Sequence, residues 1–238
     1  MKLKDYLYSW ENKPALRAIY NNLYQKILSR TTDGNTLEIG AGIGNFHTSN
    51  GRVYKIDIQF SKGVDAVADA HKLPFSDESF SNIILFDTLH HLQCPVLFFL
   101  EAERVLTPGG RIIMIEPGIT PVSWLLYKLG HEEPVNMRWR PKKGCVLDPN
   151  KDPYDSNQAI PTILFKVKPI FFEKLVPGLS IKESKWLSIF AYPMSGGFKK
   201  WCLIPYKWVD KILTVEERVL PFLGSIMAFR LLTVLEKK

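Results

Sequence analysis

Apolar positions along the chain follow two periods. Residues 14–30 place Leu16, Ile19, Tyr20, Leu23, Tyr24, Ile27 and Leu28 at helical spacing, with Pro14 in the first turn and Asn12 as a cap. That stripe, aromatics included, is expected to pack into a core, and Gly34 suits the turn that ends it. Short unbroken apolar runs follow, each meeting an acid: TLEI with Glu38, VYKIDI with Asp57, DAVAD ending at Asp69, and NIILF leading into Asp87. Such runs predict strands buried on both faces. A helix opened by Pro95 and closed by Pro108, Gly109 and Gly110 precedes another strand, RIIMIEPG. Only a short helical piece fits between Gly44 and Val53. Strand and helix thus alternate from 36 to 118, the pattern of a parallel sheet covered on both sides.

The regularity loosens after 119. TPVSWLLYKLG predicts a helix, whereas residues 131–161 are rich in Pro, Lys, Asp and Asn, show no period, and predict a loop excursion over the site, either a lid or a disordered stretch. PIFFEKLVPGL reads as a last crossover helix. Strands near 181–190 and 229–236 are expected as an antiparallel pair around a helical insertion at 193–226.

The glycines of TLEIGAGIGN, Gly40, Gly42 and Gly44, remove side chains where a strand turns toward a ligand. Asn45 breaks the dinucleotide spacing, and no Lys-Ser/Thr pair completes a phosphate loop. A nucleotide-like ligand remains, with Asp57 at the end of the second strand as the acceptor for ribose hydroxyls.

Composition narrows the class. Of 238 residues, 46% are apolar and 23% charged, which suits one self-folding soluble domain. Net charge is +7, unevenly spread: residues 1–138 hold 14 basic and 15 acidic groups, and 139–238 hold 17 and 9. The basic end predicts an anionic partner. Cys94, Cys145 and Cys202 form no close pair in sequence and are expected as thiols in a reducing cytoplasm, with no zinc or other metal site. The N-terminus lacks the apolar stretch of a signal peptide.

Taken together, LEIGAGIGN, the acid of VYKIDI, VADAHKLPFSDESFSNIILFDTLHHL and EAERVLTPGGRIIMIEP resemble the class I S-adenosylmethionine-dependent methyltransferases, in the branch that modifies quinones, sterols and sugars. The resemblance spans about residues 36–118. It implies a Rossmann-like α/β fold, doubly wound, with a mostly parallel seven-stranded sheet, an antiparallel C-terminal strand and helical insertions. It divides a single domain, 1–238, into an N-terminal helical cap (1–32), a cofactor-binding core (33–118) and an acceptor side with lid, last strands and insertion (119–238). S-adenosyl-L-methionine is the implied cofactor, with Glu38, Gly40 and Gly42 at the methionyl part, Asp57 at the ribose, Asp69 and Ala70 at the adenine, and Ala41, Ile58 and Asp87 as further cofactor-binding residues. The segments 44–53 and 58–65 are shorter than the family's usual helices, so the pocket is expected to be more open or closed by the N-terminal helix.

The implied reaction is in-line methyl transfer to a small-molecule, lipid or lipid-linked acceptor, saccharide or isoprenoid among them, with a hydroxyl as the expected nucleophile. The alternatives are a C-methyltransferase of a quinone-like acceptor and a cofactor-binding protein that transfers nothing; a nucleic-acid substrate is the weakest reading. A hydroxyl acceptor benefits from a base, for which His91 and His90 after the fourth strand are candidates, and His131, beside Glu132 and Glu133, is a third. Trp186, Phe190, Tyr192, Phe198, Trp201, Tyr206, Trp208, Phe222 and Phe229, interleaved with Lys199, Lys200, Lys207, Lys211, Arg218 and Arg230, are expected either at the inner face of an anionic membrane or packed between the last two strands, closing the acceptor pocket. The oligomeric state is not legible.

Overall fold

In the computed structural model, which describes residues 3–48, 51–130 and 133–238, seven strands make one sheet. They are β1 (Thr36–Ile39), β2 (Val53–Asp57), β3 (Ala66–Val67), β4 (Phe80–Phe86), β5 (Leu106–Pro117), β6 (Leu179–Leu187) and β7 (Arg230–Lys237). The spatial order is β3-β2-β1-β4-β5-β7-β6. Pairs from β3 through β5 are parallel, and β7 runs antiparallel to both β5 and β6. The expected late antiparallel pair is therefore present, with β7 the strand that reverses.

The helices are α1 (Leu3–Asn12), α2 (Pro14–Leu28), α3 (Pro95–Val105), α4 (Pro121–Gly130), α5 (Ile160–Thr162, continued by a π turn, Ile163–Val167), α6 (Pro169–Leu175), α7 (Ala191–Ser195) and α8 (Val209–Met227). Strand side chains alternate between faces, and the core divides accordingly. Ile83, Leu85, Ile112 and Met114 pack with Phe98, Phe99 and Ala102 of α3 on one side. Ile84, Ile113 and Ile115 pack with Ile19, Leu23 and Ile27 of α2 on the other. Each such buried side chain contributes about 1.5–3 kcal/mol, so two covered faces hold the sheet.

Two expectations change. No helix forms in the described residues between β1 and β2; residues 41–48 are turns and irregular chain. The loop lies so close to its neighbour that a Cβ at Gly44, whose φ is +73°, would sit 2.4 Å from the Gly63 carbonyl oxygen. The vacated face is filled by α2, whose Tyr24 meets the buried Phe46 edge-on with ring centroids 5.4 Å apart.

Asn12 is not the cap of α2 either. It ends α1, an element the pattern did not reveal, and its Nδ2 donates to the Tyr8 carbonyl. The residue before α2 is Lys13, whose buried Nζ donates to the carbonyls of Ser195 (2.6 Å), Gly197 (2.5 Å), Lys199 (3.0 Å) and Trp201 (2.9 Å). One ammonium thus gathers the chain after α7 onto the N-terminal cap, and burial lowers its pKa. Replacing Lys13 by Met leaves those carbonyls without their donor and should cost about 2–3 kcal/mol, read from urea unfolding midpoints.

Candidate active site

The sheet order reverses between β1 and β4, and at the carboxyl ends of the parallel strands the structure encloses a cavity of about 660 Å³. That is the place and size of a small-molecule site in an open α/β sheet. Glu38, Gly40, Ala41 and Gly42 line it from β1, with Asp57 and Ile58 from β2. Asp69 and Ala70 line it after β3, and Asp87 and His91 after β4.

The acids differ in how their charge is met. The Gly42 amide donates to Asp57 Oδ2 and the Gln59 amide to Oδ1, both at 2.9 Å. Asp69 Oδ1 accepts from the His71 amide (2.9 Å) and lies 2.7 Å from His71 Nδ1. Glu38 is 5% exposed, and its Oε2 is buried with no hydrogen-bond partner among the described residues. Burial, opposed by Lys55 and reinforced by Asp57, pushes its carboxyl up to about 8. Next to it, Gly40 holds φ at +70° against Thr88, where a Cβ would come within 2.2 Å of Oγ1.

The turn Leu89–His91 sets two adjacent imidazoles in opposite states. Glu116, at the end of β5, is 1% exposed; its Oε1 accepts the Thr88 and Leu89 amides at 2.8 Å each, and its Oε2 lies 2.7 Å from His90 Nδ1. Glu133 lies 3.3 Å from His90 Nε2. Burial disfavours a charged His90, but the hydrogen bonds to Glu116 and Glu133 outweigh it and raise the imidazole to about 10. His91 is lowered to about 4, by burial first and then by the His90 charge. Its Nδ1 is buried without a partner among the described residues. The two histidines therefore separate: His91 faces the cavity as a neutral ring, while His90, a candidate base by sequence, is fully engaged by carboxylates and is not among the lining residues. His131 and Glu132 lie outside the described residues.

The opposite wall is aromatic. Tyr6, Tyr20, Tyr24, Phe86 and Phe198 line the cavity, so the N-terminal helices close it and the α2 stripe is more than core filling. Tyr20 stacks on Phe86 at 4.9 Å and meets Phe198 edge-on at 5.5 Å. Behind them Arg230, 2% exposed at the start of β7, pairs with Asp87 through Nη2 and Oδ2 at 2.8 Å. Its guanidinium lies 3.7 Å from the Tyr192 ring centroid. The expectation that Arg230, Phe229 and Tyr192 meet a membrane is thus corrected: Arg230 and Phe229 are buried, and Tyr192 packs against Arg230 and the core formed by α2. Sequence reasoning also missed Glu116, although the same strand-end rule that found Asp57 applies to IIMIEP.

Comparison with known proteins agrees with this geometry. Residues 37–114 match the family model of the methyltransferase domain. Over those residues, about a third of the chain, the sequence is similar to the methyltransferase domain, in keeping with the resemblance that the motifs carry. It is 38% identical over 66 residues to 27-O-demethylrifamycin SV methyltransferase of Amycolatopsis mediterranei, covering 28% of this chain and 24% of that protein. It is 27% identical over 133 residues to a demethylmenaquinone methyltransferase of Streptomyces avermitilis, covering 54% and 52% respectively. The chain thus spans about a quarter to half the length of these curated relatives. Among solved structures, geranyl diphosphate C-methyltransferase of Streptomyces coelicolor, in complex with Mg2+, geranyl diphosphate and S-adenosyl-L-homocysteine, superposes with a TM-score of 0.56 at 12% identity over 93% of this chain and 82% of that one. A methyltransferase-like protein of Bacillus halodurans gives a TM-score of 0.51 at 15% identity over 90% and 98%. At these identities the likeness is one of fold.

In this chain the irregular segment after α4 covers the cavity through Leu147, Asp148, Pro149 and residues 151–154. Lys151 Nζ donates to the His91 carbonyl at 3.0 Å, Tyr154 Oη to Gln59 Oε1 at 3.0 Å, and the Asp148 amide to Gln93 Oε1 at 3.1 Å. A disulfide joins Cys94, at the start of α3, to Cys145 on the covering segment, with Cα atoms 5.7 Å apart. This corrects the expectation of three thiols and removes the cysteine-based reason for a reducing compartment; Cys202 is free and exposed. The 51-residue separation hid the pair. Reduction, or Cys145→Ser, should expose residues 141–155 to limited proteolysis while the sheet stays intact; an unchanged cleavage pattern would show that the other tethers suffice.

Proposed function

We propose that the chain binds S-adenosyl-L-methionine along the carboxyl edge of β1, β2 and β3 and transfers its methyl group to a hydroxyl of a small, largely apolar or lipid-linked acceptor held by the aromatic wall. The observation that carries the cofactor reading is Glu38: a buried carboxylate oxygen without a partner, facing a cavity whose other acids are already met, fits the ammonium group of a methionyl moiety. Asp57 and Ile58 suit the ribose, and Asp69 with Ala70 the adenine, because they line the same cavity in that order from the glycine loop outward.

When bound, the cofactor supplies an electrophilic methyl carbon on a sulfonium. Transfer to a hydroxyl would break the carbon–sulfur bond, form a carbon–oxygen bond and leave the electron pair on a neutral thioether, and His91 is the cavity group that could take up the hydroxyl proton. The chain's part is to align and dry the encounter. The covering segment and the N-terminal helices wall the cavity, and Tyr20, Phe86 and Phe198 offer an apolar surface to an acceptor. Burial first, and then the charge that Glu116 and Glu133 hold on His90, keep His91 neutral with an unprotonated ring nitrogen toward the cavity, a weak base for the hydroxyl proton.

Two measurements test this reading. A carboxyl held at about 8 is mostly protonated at pH 7 and must lose its proton when an ammonium docks on it. Calorimetry of S-adenosyl-L-homocysteine at pH 7, in buffers of different ionisation enthalpy, should therefore report close to one proton released per ligand; no release contradicts the pairing of Glu38 with the amino group.

The second concerns the base. His91, lowered to about 4, is neutral across the ordinary range, so kcat/KM should stay level from neutral pH downward and fall only as pH drops through about 4. Glu116→Gln discharges His90 and should move that acid limb upward toward the ordinary imidazole value. A limb unmoved in this variant would remove His90 from the control of His91.

A further inference from the structure

The helix α4 is built inside out. Of its ten residues only Ser123 is buried. Trp124, Leu125, Leu126 and Leu129 are exposed, Leu129 at 76%. Beside it, α8 shows Phe222 (79% exposed) and Ile226 (49%) in a stretch, 219–229, that has no charged residue. An apolar surface of this kind marks a binding face.

Lysines outnumber acids around it, with Asp210 and Glu217 of α8 lying just beyond. Segments 119–130, 196–209 and 219–229 contain four lysines, Lys128, Lys199, Lys200 and Lys207, and no acid. Lys128 Nζ lies 4.9 Å from the Trp124 ring centroid, and Lys199 Nζ donates to the Gly130 carbonyl at 2.7 Å, tying the segment after α7 to the end of α4. A second copy of the chain meeting this face about a two-fold axis would set lysines against lysines. Among the described residues no helix is long and apolar enough to cross a membrane.

We propose that α4, the C-terminal half of α8 and the segment after α7 form a face that docks on an anionic lipid surface, the apolar side chains entering the headgroup region and the lysines meeting its charge. Tryptophan and lysine together suit that depth, and each basic group adds about 1 kcal/mol near an anionic leaflet. The face adjoins the cavity. Phe198, which lines the cavity and meets Tyr6 edge-on at 4.6 Å, is followed directly by the exposed Lys199 and Lys200, and Tyr6 by the exposed Leu7 and Tyr8. A lipophilic acceptor could thus pass from the bilayer to the aromatic wall without entering bulk water, a consequence that rests on the methyl-transfer reading.

Co-sedimentation of the full chain with phosphatidylcholine vesicles, with and without phosphatidylglycerol, tests the docking. Binding should require phosphatidylglycerol and reverse in high salt. It should weaken ~100-fold on charge reversal at Lys128, Lys199 and Lys200, and it should be lost in the Leu125→Glu, Leu129→Glu double variant. Failure to sediment with either vesicle overturns the proposal, and so does binding that ignores the charge reversals. A concentration-dependent dimer that the double variant dissociates, without vesicle binding, would assign the face to a second copy instead. Calorimetry of S-adenosyl-L-homocysteine on the same variants should be unchanged. Wild-type protein that binds vesicles but not this ligand would leave the docking face standing and remove the cofactor reading.

Discussion

A carboxylate withdrawn from water must be paired or accept hydrogen bonds, or it takes up a proton. This chain sets two buried carboxylates, Glu38 and Glu116, and two half-buried ones, Asp57 and Asp87, at or just beyond the carboxyl ends of β1, β5, β2 and β4. Much of the surrounding structure answers that constraint. The glycine loop bends so that the Gly42 amide reaches Asp57. The turn after β4 aims two amides and an imidazole at Glu116. The last strand enters the sheet with Arg230 aimed at Asp87. Glu38 keeps one buried oxygen without a partner among the described residues, and that exception points to the ligand.

The same constraint orders the histidines. Burial, and then the charge that Glu116 and Glu133 hold on His90, keep His91 neutral, and the tilted pair, with centroids 4.2 Å apart, presents only His91 to the cavity. The covering segment then fastens onto this turn through the His91 carbonyl and onto the start of α3 through Cys94. The turn that carries His91 and the segment that covers the cavity are thus tied together at residues 88–94.

What could be read in the sequence was what is local. Strand-end acids, alternating glycines and the βα rhythm of residues 36–118 are short-range patterns, and the sheet order follows from them once the family resemblance is seen. The contacts that complete the site are not local. Arg230 and Asp87 are 143 residues apart, so Arg230 reads from the sequence as one more basic residue near a membrane. Cys94 and Cys145 are 51 apart across a segment with no period. Lys13 looks like a solvated charge before a proline, yet its partners are backbone carbonyls more than 180 residues away, which no side-chain pattern records. Tyr20 and Tyr24 sit at core spacing and do pack, but the shortened β1–β2 connection lets α2 reach the cavity as well.

The central claim is that one cavity holds the cofactor by the strand-end acids and turns its sulfur toward His91. A crystal structure of the chain with S-adenosyl-L-homocysteine tests it most directly. The account predicts the amino group on Glu38, the ribose hydroxyls on Asp57, and the sulfur facing the space between His91 and the Tyr20–Phe86 stack. A ligand bound elsewhere, or in this cavity with its ribose away from Asp57 and Glu38 still without a partner, would contradict it.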